Sequence, residues 1–128
     1  MKQITGLIAS ILLMAAASSW AADETKPEMK PITKIMLARL GWVQSLSRNI
    51  AYSNYDGIAA DASELASQTK KVGDAAPAAF NKEKNLAISD LARAMAEAAA
   101  KKDGVTVSTR LGEILGTCNS CHVKLRDK

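Results

Sequence analysis

Aromatic side chains are scarce: two Trp, two Tyr and one Phe, 4 % of 128 residues. That scarcity disfavours a β-sandwich and argues against an aromatic platform on which single-stranded nucleic acid would stack. Proline occurs three times and glycine seven times, so long regular elements meet few interruptions. Charge of one sign is also limited, with 17 basic against 13 acidic residues. No Arg-rich stripe with interleaved aromatics accompanies this modest excess, so nucleic acid is not an expected partner. There is no internal repeat and no βαβ pattern. What is present, 48 % hydrophobic and 23 % charged residues, is the composition of an ordered chain, and the length suits one domain. An all-α fold is expected.

The first 21 residues read as a cleaved export signal. Lys2 supplies a short basic start, and Ile4 to Ala17 form a mainly apolar run. Ser19-Trp20-Ala21 offers small residues before a cleavage point after Ala21. The run is shorter than the roughly 20 apolar residues that span a bilayer, so no retained membrane anchor is expected. The expected domain is residues 22–128, exported to a periplasm.

Beyond a polar arm at Ala22 to Lys30, Pro31 suits the first turn of a helix. Ile32, Met36, Leu40, Val43, Leu46 and Ile50 then recur at helical spacing, predicting a buried stripe on a helix reaching about Ser53. Asn54 or Asp56 is available to cap a second helix bearing Ile58, Ala62, Leu65, Thr69 and Val72, with Gly73 expected as its C-terminal cap. Asp74 to Phe80 reads as a linker. Asn81 is expected to cap a third helix bearing Ile88, Leu91, Met95 and Ala98, which closes at Lys101-Lys102-Asp103-Gly104. A fourth, capped at Thr106 or Ser108, carries Val107, Leu111, Ile114, Cys118, Cys121 and Leu125. Four amphipathic helices with short connections predict an antiparallel up-down-up-down four-helix bundle. Its second and third helices are rich in Ala and supply little core volume, which points to a bound apolar group in the centre.

Cys118-Asn119-Ser120-Cys121-His122 is the strongest signal in the chain. The spacing C-x-x-C-H is the attachment motif of c-type haem. On a helix, residues three apart share a face, so both thiols can add to the two vinyl groups of one porphyrin edge. His122, four residues after Cys118, can then reach the iron from the same side. A disulfide between the two cysteines is compatible with an oxidising compartment. A thioredoxin-like dithiol opens a helix after a strand, and no such strand is apparent. Zinc would need two further ligands, and the sequence has no second Cys pair and no second His. Haem c, one per chain, is the expected cofactor.

Because His122 is the only histidine, two histidines of one chain cannot share the iron. Met29, Met36 and Met95 remain as candidates for the second axial position. Met29 lies in the arm, and Met95 sits among Ile88, Leu91 and Ala98, where core filling is expected. Met36 is about a turn and a half into the first helix. In an up-down-up-down bundle that turn lies beside the end of the fourth helix, so Met36 is the expected second metal ligand after His122.

A four-helix bundle with C-x-x-C-H in its last helix resembles the class II c-type cytochromes, the cytochrome c-prime family. The likeness spans the mature chain and is carried by the motif and the ending Cys121-His122-Val123-Lys124-Leu125-Arg126. The resemblance implies that Arg126, one turn after the histidine, lies near the proximal haem face. It also implies one of two functions: electron transfer in low-spin members with a Met from the first helix, or binding of nitric oxide and similar gases in high-spin members. Met36 makes the chain resemble the first type. In the second, Leu40 and Val43 would line an apolar distal pocket. The family often has an Arg one turn before the distal residue, where this chain has Ile32, so Lys30 or Lys34 is expected at the propionates. A peroxidase would want a distal acid–base group, and no second His is available. The expectation is therefore a non-enzymatic periplasmic electron carrier that meets redox partner proteins transiently, with Trp42, Tyr52 or Tyr55 available for a homodimer contact.

Overall fold

A computed structural model describes residues 28–126. The expected export signal lies outside them. Four helices account for nearly all of the described chain: α1 (Pro31–Ala51), α2 (Tyr55–Ala75), α3 (Ala79–Ala100) and α4 (Gly104–Arg126). No strand occurs among the described residues. No described helix is long and apolar enough to cross a membrane.

Helix boundaries follow local chemistry, and several differ from the sequence expectation. Pro31 does occupy the first turn of α1, where it forfeits no hydrogen bond. The helix stops at Ala51, and Ser53 turns the chain with a φ of 53°. Asn54 caps α2, its side-chain oxygen accepting from the Gly57 N–H at 3.2 Å. Gly73 is not a cap. It lies buried inside α2, which continues to Ala75. A Cβ at Gly73 would meet Leu86 Cδ2 at 3.0 Å and Asn85 Cβ at 3.1 Å, so the missing side chain lets α2 and α3 approach closely. Asn81 is not a cap either. The third helix begins at Ala79, and the Asn81 carbonyl accepts from Asn85 Nδ2 at 2.6 Å.

At the α3–α4 turn the left-handed residue is Lys102, with φ 56°, whereas Gly104 already belongs to α4. The cap of α4 is Asp103 rather than Thr106 or Ser108. Its carboxylate accepts from the Thr106 N–H at 3.0 Å and the Thr106 hydroxyl at 2.6 Å. These two hydrogen bonds from Thr106 hold the Asp103 carboxyl below its ordinary value. A depressed folded-state value means that the cap's stabilisation is complete above the unfolded value of about 3.8 and fades as pH falls through the folded one. Denaturant titrations at successive pH values should therefore show an acid-side loss of stability that is smaller in Asp103→Asn, a variant that caps without titrating.

The helices contact one another in a ring, most extensively α2 with α3, then α3 with α4 and α1 with α2, and least α1 with α4. Asn49 reaches Asp61 at 2.9 Å beside the α1–α2 turn, and Arg39 reaches Gln68 at 2.9 Å further along both helices. Leu46, Ile58, Leu65, Ile88, Met95, Val107 and Ile114 form the core, with Ala62, Ala92, Ala98 and Ala99 between them. Small alanines allow the tight α2–α3 packing and leave the expected low side-chain volume. The expected stripe on α1 is buried only in part. Leu46 is enclosed, but Ile32 and Leu40 are half-exposed because the first half of α1 borders a cavity instead of core.

Candidate functional site

The cavity measures about 850 Å³, within the range of ligand pockets. Ile32, Ile35, Met36, Leu40 and Val43 line it from α1, and Val72, Ala76 and Pro77 line it from the α2–α3 junction. Ile88 comes from α3, and Leu115, Cys118, Cys121, His122 and Leu125 from α4. The walls are therefore largely aliphatic. The α4 contribution follows from helical periodicity: positions 115, 118, 122 and 125 repeat at three- and four-residue steps and face one side.

Cys118 and Cys121 are free thiols, both partly buried, and His122 is exposed. All three sit near the C-terminal end of α4. A thiolate is favoured at a helix N-terminus, beside the positive end of the dipole, so this location is the reverse of the one that activates a dithiol. Burial pushes the Cys118 thiol up, opposed by the Arg39 guanidinium and reinforced by Cys121. Among the described residues no group of three or more His, Cys, Asp and Glu side chains is placed to hold a metal ion by itself.

Met36 lines the same cavity as the cysteines and His122. Met95, in contrast, is wholly enclosed in the core, and Met29 is about half-exposed outside the cavity. Arg126 is exposed in the last turn of α4 and is not part of the lining. Lys30 and Lys34 are exposed and not part of the lining either, and Lys34 stands 3.9 Å from Glu28. Of the three aromatics considered for a dimer contact, Tyr52 is exposed, whereas Trp42 and Tyr55 pack against the core.

The cationic groups that do line the cavity are Arg39, Lys71 and Lys84, and no Asp or Glu accompanies them. Arg39 is buried; its Nε donates to Gln68 Oε1 at 2.9 Å and its Nη2 to Asn85 Oδ1. Burial lowers the Arg39 pKa, and the two thiols partly restore it. Phe80 braces the rim, with Lys124 Nζ 4.2 Å and Lys84 Nζ 5.6 Å from its ring centroid, tying the end of α4 to the start of α3. The sequence expectations assign no site role to Arg39, Lys71 or Lys84. Arg39 was overlooked although it stands three positions after Met36, the spacing that puts two side chains on one helical face.

An apolar slot bearing two thiols, an imidazole and a thioether, with cations and no carboxylate, suits a flat hydrophobic group with acidic substituents. The residues present thus fit haem. Comparison with known proteins adds no relative: no protein-family profile, curated protein or solved structure matches the chain.

Proposed function

We propose that this chain is a periplasmic mono-haem c-type cytochrome that transfers electrons, of the class II, cytochrome c-prime type. The observation that carries the reading is the convergence of Cys118, Cys121, His122 and Met36 on one apolar cavity. In this reading Cys118 and Cys121 would hold haem through two thioethers, and His122 and Met36 would ligate its iron. When bound, haem supplies a one-electron ferric–ferrous couple, and His/Met ligation favours a raised potential. The polypeptide catalyses no bond rearrangement. It would exclude water with Ile35, Val43 and Ile88, carry Met36 on α1 and His122 on α4, and offer Lys71 and Lys84 to the propionates.

The up-down-up-down antiparallel course belongs to the same proposal. It is supported by the pairs Asn49–Asp61 and Arg39–Gln68, whose numbers rise on α1 as they fall on α2. Redox partners would touch the cofactor edge through a small transient contact, and Tyr52 is the aromatic residue available for a homodimer. A second reading, binding of nitric oxide or a similar gas by a five-coordinate iron, draws on Leu40 and Val43, which line the cavity beside Met36. The full chain, expressed with a haem-attachment system and purified in the ferric form, separates the two. A low-spin spectrum with a far-red Met–iron charge-transfer band and slow reaction of the reduced protein with carbon monoxide are expected. A high-spin spectrum with prompt carbon monoxide binding would select the gas-binding reading, and absence of haem would remove both.

A further inference from the structure

Arg39 is the one charged residue buried among the described residues. It has no carboxylate partner there. Its side-chain hydrogen bonds go to the amide oxygens of Gln68 and Asn85. Asn85 is itself fixed by donating to the Asn81 carbonyl at 2.6 Å. The guanidinium is thus clamped between α1, α2 and α3 by neutral groups, at the wall of a cavity that contains no acid. Taking a cation out of water is costly unless an opposite charge or a polar cage compensates it. The Gln68–Asn85 clamp gives hydrogen bonds and leaves the full positive charge in place, facing the cavity. Arginine does not lose that charge near neutral pH.

We propose that Arg39 is a potential-setting residue of the haem site, its fixed positive charge favouring the ferrous over the ferric state. The inference rests on the haem reading above. Ferric haem carries one positive charge more than ferrous haem. A donor's electron neutralises that charge with no proton moved, so a nearby fixed cation destabilises the oxidised side of the couple selectively. The interaction is effective because the site is walled by aliphatic side chains, where charges are screened less than in water. Arg39 touches no axial ligand in this scheme. It acts through the field, and three helices hold it in position.

The test is a potentiometric titration of the haem-loaded full chain and its Arg39→Gln and Arg39→Lys variants, with the optical spectrum recorded at each step. Arg39→Gln is expected to shift the ferric–ferrous equilibrium at least about tenfold toward ferric, a fall of about 59 mV for one electron. Arg39→Lys should keep most of the parent potential, which a purely structural role would not predict. Arg39→Met, which removes the charge at similar length, gives the same readout if the Gln variant does not accumulate. An unchanged potential in the neutral variants, with the parent ligation spectrum intact, overturns the role of Arg39 and leaves the haem reading standing. Absence of covalent haem from the parent chain overturns both.

Discussion

Replacing Cys118 and Cys121 together by Ala is expected to abolish covalent haem. Denaturing electrophoresis with haem staining should show no signal at the size of the chain, and the intact mass should fall by the cofactor. The expectation follows from stoichiometry and placement: these are the only two cysteines, and both line the cavity from one face of α4. Either single variant should retain at most one thioether, giving weaker staining. Helix content should survive in the double variant, because both side chains are only partly buried and the fully buried side chains Leu46, Ile58, Leu65, Met95 and Ile114 are untouched. Haem that resisted denaturation in the double variant would show that the motif is not the attachment point.

Met36→Ala carries the second large effect. The ferric protein should change from low-spin to high-spin, the far-red band should vanish, and the reduced protein should bind carbon monoxide promptly. The potential should fall with loss of the thioether ligand. Met95→Ala provides the contrast within the same chain. Met95 is fully buried, so its truncation should cost about 2–5 kcal/mol in denaturant unfolding while leaving the ligation spectrum unaltered. If Met36→Ala remained low-spin, the axial ligand would be another group and the first helix would have to be reread.

Much of this architecture was legible in the sequence because helical periodicity is a strong local signal. The stripes of α2, α3 and α4 include Ile58, Ala62, Leu65, Ile88, Met95, Val107 and Ile114, all of which are buried. The motif likewise placed Cys118, Cys121 and His122 on one helix face without tertiary information. Part of what failed depended on contacts between elements. Gly73 has the look of a terminator, since glycine often ends helices, but its role is set by Leu86 and Asn85 across the interface. Arg39 was hidden for the same reason: its partners Gln68 and Asn85 lie 29 and 46 positions away. Periodicity reports which side of a helix is apolar. It does not reveal whether that side meets core or the edge of a cavity, which is why Ile32 and Leu40 were expected inside.

The unequal ring of helix contacts has a consequence for how the chain matures. The α2–α3 pair shares the largest contact and α1 with α4 the smallest, so local opening should be graded around the ring. Amide exchange in the cofactor-free protein would then be slowest in the middle of α2 and α3 and fastest in the first turns of α1. If the chain takes up haem as proposed, such a gradient would give it an entry route. Under the proposed function, a porphyrin could be laid against α4 while α1 is swung aside from the cavity, and be covered when α1 returns. The weakest seam of the molecule is thus the door through which its centre would be filled.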